Sequence, residues 1–328
     1  MNFFRRQWFL LSLLSVFALS ALLPSLPEGD WQRTTKLTLV FLIFFFSGIS
    51  IQTGDLIKGV FHLRLHLFIQ ILNLAVLPLV MISVVQLIKP LELPKDFVLG
   101  LLILGALPTT VTSCVAFTTL AGGNVVGSLV NASLGNLLGV LITPLWLLLF
   151  TKGTPFQLEL LPVLQKLSLT VFLPLFMGQV VQYVAQNRLN KKRRKAIGLG
   201  GQSLVLGILY VSMQKAYAQG AAFPVILLLH GAWIVGVYHL IALALPWFLS
   251  PVFQLNMEDR ICSLFCASQK TLALGIPLIS ICFPDHPGLP LLALGILLYH
   301  PIQLLVSSYL TSHFRHAYAE EEGNTLLN

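Results

Sequence analysis

The sequence predicts an all-α membrane protein made of ten transmembrane helices, arranged as a 5+5 inverted repeat with two broken, crossing helices. Three observations point there. The 328-residue chain is 56% apolar and 10% charged, against about 45–50% and about 25% in ordinary soluble domains, and its mean hydropathy is +0.85. Apolar segments of bilayer length recur along it, separated by short loops. In each half of the chain the fourth such segment is interrupted by polar residues, Gly or Pro.

A helix needs about 20 predominantly apolar residues to cross a bilayer. On that basis the spans fall at 7–26, 35–54, 64–88, 97–121, 124–149, 158–184, 197–217, 222–249, 260–283 and 288–313. Open sheets leave backbone groups unsatisfied in lipid, so the spans are read as helices. They divide into a first repeat, 1–150, and a second, 155–314, joined at about Thr151 to Pro155, with a short polar tail at 315–328. An odd number of spans per half makes the second half insert upside down. Arg5-Arg6 followed by Trp8 to Leu23 resembles a secretory leader with Ala18-Leu19-Ser20 as its cleavage site. The near-spanning length of that run favours an uncleaved first helix.

The net charge of +8 is concentrated in Arg188 to Lys195, RLNKKRRK. Between two apolar segments this reads as a solvated basic loop anchored on anionic lipid, and no nucleic-acid partner is expected. With both termini inside, twelve Lys and Arg lie on the inner side and seven on the outer, which predicts a multi-pass cell-membrane protein with cytoplasmic termini. The partners implied are the bilayer and a small solute, and the sequence leaves the oligomeric state open. Cys114, Cys262, Cys266 and Cys282 all lie in apolar segments and read as small buried thiols. Cys262 and Cys266 share a helix face at i, i+4, but without His or acid partners they make a poor zinc site, so no metal is expected. Intramembrane enzymes need a His-Glu-x-x-His motif, paired aspartates or a nucleophile beside a base. The first two are absent and His300 has no nucleophile by spacing, so an enzyme is not expected.

The two interrupted spans carry the functional signal. The span 97–121 holds Pro108 at its centre, then Thr109, Thr110, Thr112 and Ser113. The span 260–283 holds Ser268, Gln269 and Lys270, followed by Gly275 and Pro277. Pro kinks and Ser/Thr back-bonding are ordinary in membrane helices. Two such spans at matching places, one with a lysine, point instead to an inverted-repeat transporter site. A lysine at bilayer depth costs roughly 3 kcal/mol or more unless it meets a cavity, a partner or water. Four roles for Lys270 stand open: a built-in cation donating to Ser113 and nearby carbonyls, a titrating group, a partner for an anionic substrate, and a structural lysine bonded to helix-end carbonyls. His300 and Gln303, one turn apart in the last span, are candidates for a proton relay or substrate contact, or for interhelical bonding, and Ser128, Asn131 and Asn136 in the fifth span are candidates for interhelical glue or site lining. Gly122-Gly123 reads as the turn joining spans four and five.

The segments Lys270 to Pro277, Tyr299-His300-Pro301-Ile302-Gln303, Pro108 to Ser113 and Ala121-Gly-Gly-Asn124 resemble the bile acid:sodium symporter family, most closely its cotransporter 7-like group with bacterial relatives. The resemblance covers about 1–315. It implies a panel domain from the first two spans of each half and a core domain from the last three, moving against each other. It also implies site positions. Ser113 matches the Ser of a Ser-Asn pair in sodium-using members, and Cys114 replaces the Asn. Asn73, five residues before Pro78, stands where they have Gln. Gln269 matches a Glu-x-x-x-Gln-Asn pattern in which Phe265 replaces the Glu and Lys270 the Asn. Without the carboxylate, and with an ammonium nearby, ordinary two-sodium coupling is not expected; a coupling ion, proton or sodium, is the one small cofactor left open. The leading expectation is a secondary transporter of a small organic anion working by alternating access. The alternative, raised by the calcium-homeostasis links of that group's eukaryotic relatives, is a membrane regulator without solute transport.

Overall fold

The computed structural model describes residues 8–23, 29–50, 62–152, 158–185, 191–218, 223–284, 286 and 288–325, and all its regular elements are helical. In chain order they are α1 (Trp8–Leu22), α2 (Asp30–Ser50), α3 (Leu63–Leu87), α4 (Lys95–Ala106), α5 (Val111–Leu120), α6 (Val125–Thr151), α7 (160–184), α8 (Lys191–Ala218), α9 (Val225–Leu249), α10 (Met257–Ser268), α11 (Leu272–Cys282) and α12 (Leu289–Thr325). Helices therefore stand at each expected segment. Among the described residues seven of them, with α10 and α11 counted together, are long and apolar enough to cross a membrane, or up to eight with the bent pair α4–α5. This is fewer than the ten spans expected. The first helix has 15 residues, short of the about 20 that a crossing needs. Ala18-Leu19-Ser20 lies within it. The basic run is also not a plain loop, because Lys191 to Lys195 form the first turns of α8. Arg5, Arg6, Lys58, Arg188 and residues 153–155 of the expected joint lie outside the described residues.

Both interrupted spans are broken helices. The first bends by 57° between α4 and α5. Pro108 has no N–H to continue the ladder and biases Leu107 toward extended backbone, and Leu107 takes φ −70°, ψ 145°. The second break lies at Gln269 to Thr271, both ends of which are extended. Gly275 and Pro277, which seemed from sequence to interrupt this span, lie inside α11.

The helices pack in two groups. α2 packs on α7 and α8, and α8 also on α1. The other group joins α3 to α4, α5 to α6, α4 and α9 to α12, α10 to α9 and α5, and α11 to α12. Lipid supplies no hydrophobic drive between helices, so close backbone approach matters. Where α2 meets α7, a Cβ added at Gly48 would run into the Leu175 carbonyl and one at Gly178 into the Phe45 carbonyl. The turn between α5 and α6 needs Gly122, whose φ is +72°, in the left-handed region that favours glycine.

Replacing Gly178 by Ala is expected to push α2 and α7 apart and cost about 1–3 kcal/mol. Gly236→Ala, whose Cβ would meet nothing within 4 Å, is the control. A thermal melt of each purified variant checks this: a lowered midpoint for Gly178→Ala only is the expected result.

Candidate functional site

The two breaks cross, and the carbonyls that they free are met one by one. The last four carbonyls of a helix have no intrahelical donor, and in a membrane each must find one inside the protein. Along the first break the Gly105 and Leu107 carbonyls accept from Lys270 Nζ at 3.0 and 2.7 Å. The Ala106 carbonyl accepts from Thr143 Oγ1 at 2.8 Å. The Pro108 carbonyl accepts from the Thr271 backbone N–H at 2.9 Å. The Thr109 carbonyl accepts from Asn136 Nδ2 at 3.0 Å.

The second break is held in the same way. Gln303 bonds the Lys270 backbone twice: Oε1 accepts from its N–H at 2.8 Å and Nε2 donates to its carbonyl at 3.1 Å. Tyr299 donates its hydroxyl to the Ser268 carbonyl at 2.6 Å. Because that proton is committed, His239 Nδ1, 2.8 Å from the same hydroxyl, is the donor there.

Lys270 is 1% exposed. Besides Gly105 and Leu107, its ammonium donates to Asn73 Oδ1 at 2.7 Å and to the Asn73 carbonyl at 3.2 Å. That carbonyl is available for a local reason. Residues Leu72–Val76 form a π-turn inside α3, in which the Leu77 N–H bonds the Leu72 carbonyl. Pro78 follows with no N–H to give, so Asn73's carbonyl has no helical donor. Three ammonium protons thus meet four neutral oxygens, two of them at the C-terminal, partially negative end of α4. These contacts place a cation where four oxygens converge.

The expected partners are rearranged. Ser113 does not reach the ammonium. Its Oγ donates to Gln269 Oε1 at 3.0 Å and contacts Thr110 Oγ1 at 2.7 Å, and Gln269 Nε2 donates to Ser307 Oγ at 2.7 Å. Ser268 Oγ turns back to the Leu264 carbonyl and so points away from the site. Ser128 joins Cys114 at 3.3 Å instead, in a buried cluster where Cys114 and Cys266 sulfurs lie 2.7 Å apart and Cys262 is 3.9 Å from Cys266. Thr109 is buried and meets the site through its carbonyl.

Beside the crossing lies a cavity of about 160 Å³. Thr110, Thr112, Asn136, Thr271 and His300 supply polar groups, and α2, α7 and α8 close it with apolar residues including Phe44, Phe46, Leu175 and Val205. Two helix N-termini meet it. α5 begins at the N-cap Thr110, whose side chain accepts from the Ser113 N–H. α11 begins at Thr271, whose side chain makes no cap bond. His300 Nδ1 lies 3.0 Å from Gln303 Nε2, an amide donor, so it accepts there and the neutral ring carries its proton on Nε2. Asn136, a candidate from its spacing in the fifth span, lines the cavity; Tyr299, Thr271 and Ser307 join the site without having been named as its members, and only their closeness to marked residues could have suggested them.

The chain matches the family described as SBF-like CPA transporter family (DUF4137) over residues 7–316. It is 30% identical over 317 residues to "Sodium/bile acid cotransporter 7" of Rattus norvegicus, covering 93% of this chain and 92% of that one. The mouse (Mus musculus) protein of that name is 31% identical over 316 residues, with the same coverage. An uncharacterized protein of Pseudomonas aeruginosa is 30% identical over 317 residues, again covering 93% and 92%. A multi-pass helical chain that matches along nearly its whole length belongs to this family of bile acid:sodium symporter-like membrane transporters.

Proposed function

We propose that the protein moves a small organic anion across the membrane by alternating access, with the Lys270 ammonium acting as a fixed cation in place of a bound sodium ion. The observation that carries the anion is the meeting of two helix N-termini at one cavity, whose polar groups among the described residues are Ser, Thr, Asn and His side chains. The first N–H groups of a helix have no intrahelical acceptor and carry partial positive charge, which suits a carboxylate or similar head. The apolar wall from α2, α7 and α8 suits an apolar body. The fixed-cation role is supported by the saturation of Nζ with four oxygens, which leaves it no proton to offer a substrate in this conformation. Names of relatives describe cotransporters, which favours transport over the calcium-regulator alternative and over an enzyme.

The ten-span inverted repeat belongs to the same reading. Each broken helix starts with an aspartate that meets the other half. Asp259 Oδ1 accepts from Asn124 Nδ2 at 2.7 Å, at the start of α6, with His62 Nδ1 at 3.5 Å. Asp96 Oδ1 lies 3.6 Å from His286 Nε2, just before α12. Two equivalent clasps between start-of-helix positions are what an inverted pair of five-helix units would make. The dense packing of α2 with α7 and α8, and of α8 with α1, supports a panel that meets the core through α8, α11 and α12.

Three outcomes are expected. In a thermal-shift panel, organic carboxylates raise the melting point and their neutral amides do not, whether the salt is sodium or choline chloride; occupancy at 100 times Kd gives about 2.7 kcal/mol. A stabilisation that needs sodium would overturn the fixed-cation role, and equal shifts by amides would overturn the anion site. Lys270→Met leaves its carbonyls without donors, at about 1–3 kcal/mol for each, and abolishes uptake into proteoliposomes. Lys270→Ala empties the oxygen cage, so methylammonium or sodium raises the melting point of this variant while leaving the parent unchanged.

A further inference from the structure

Lys166 lies on α7, far along the chain from the crossing, yet it touches the second broken helix. Its Nζ donates to the Ile281 carbonyl at 2.5 Å. Ile281 is in the last turn of α11, where carbonyls lack helical donors and the helix end is partially negative. A cation is the natural cap there. This bond joins α7 of the first group to α11, which packs on α12 of the second group and also meets α8, α2 and α7 of the first.

Its position relative to the cavity is what gives it meaning. On α7 the cavity touches Leu175, and on α11 it touches Leu272 to Leu274. Nine residues separate Lys166 from Leu175 and nine separate Leu272 from Ile281, about 14 Å along each helix. The bond and the cavity thus occupy opposite ends of the same two helices. The cavity's remaining walls on the first group run from Ile43 to Ser50, in the second half of α2, and from Ile197 to Val205, between the basic run and the middle of α8. The cavity is displaced toward the face of the basic run, and Lys166 lies toward the other face.

We propose that Lys166 is a latch, its ammonium capping α11, that holds the two helix groups together at the face away from the basic run while the cavity is reached from the basic face. This rests on the alternating-access reading above. Opening the other face requires the Nζ–carbonyl bond to break, so the lysine sets the balance between the two conformations. Any Lys166 variant that cannot donate shifts that balance toward the conformation open away from the basic run.

The test uses Ser50→Cys as a reporter in full-length protein, labelled by a membrane-impermeant maleimide in right-side-out and inside-out vesicles. The parent without Ser50→Cys gives the blank for the native cysteines. Labelling of the reporter from the basic face alone is expected with Lys166 intact. Adding Lys166→Met is expected to slow that labelling several-fold and to produce labelling from the other face, whereas Lys166→Arg, which still donates, keeps the one-sided pattern. An unchanged pattern in Lys166→Met overturns the latch and leaves alternating access standing. Equal labelling from both faces with Lys166 intact overturns alternating access itself. Should Lys166→Met fail to fold, Lys166→Cys with Ile281→Cys is cross-linked by copper phenanthroline; the cross-linked protein is expected to show basic-face labelling only, and labelling from the other face sinks the proposal.

Discussion

Backbone groups freed inside the membrane must be bonded inside the protein, and most of the polar core follows from that constraint. Two breaks release a row of carbonyls and N–H groups where there is no water to take them. Lys270, Thr143, Asn136, Gln303 and Tyr299 all spend side-chain donors or acceptors on that row, and the Thr271 N–H ties one break to the other through Pro108. The crossing is rigid because these bonds are mutually dependent. Removing one donor leaves a carbonyl orphaned in low dielectric, which costs more than the bond itself contributes.

Lysine suits this place better than its charge suggests. An ammonium offers only donors, and the four atoms bonded to Lys270 Nζ are all acceptors. Its long stem lets it reach from the second break to the end of α4 and to the π-turn of α3 at once. The position also explains why Asn73 and Pro78 act together: proline frees the asparagine carbonyl, and the asparagine side chain supplies a second oxygen beside it. The cavity next to this cage is lined, among the described residues, by Ser, Thr, Asn and His side chains, the starts of α5 and α11, and apolar residues.

Contacts within each helix group rely on close backbone approach, as at Gly48 and Gly178, or on bonded carbonyls. Between the groups lie direct contacts of α8 with α11 and α12 and of α2 with α11, the cavity, and the cap that Lys166 places on α11.

Composition and segment length alone were enough to establish a helical membrane protein, because the bilayer demands long apolar runs and self-satisfied backbone. Pro108 and Lys270 marked the two breaks for equally local reasons: a missing N–H, and a charge in an apolar run. What faces what was decided only in three dimensions. Lys270 and Asn73 are separated by 197 positions, and half of the ammonium's contacts are main-chain carbonyls of α4, which have no side-chain signature to read. The sequence suggested Ser113 and nearby carbonyls as the lysine's partners without saying which carbonyls; the fold supplies those of Gly105 and Leu107, gives Ser113 to Gln269 and turns Ser268 away. Gly275 and Pro277 looked like a break but sit in a continuous helix, because three polar residues upstream had already been anchored by Gln303, Tyr299 and Ser307. Residue chemistry determined that a charge had to be satisfied in the membrane; only the packing of α3, α4, α10 and α12 decided which atoms would satisfy it.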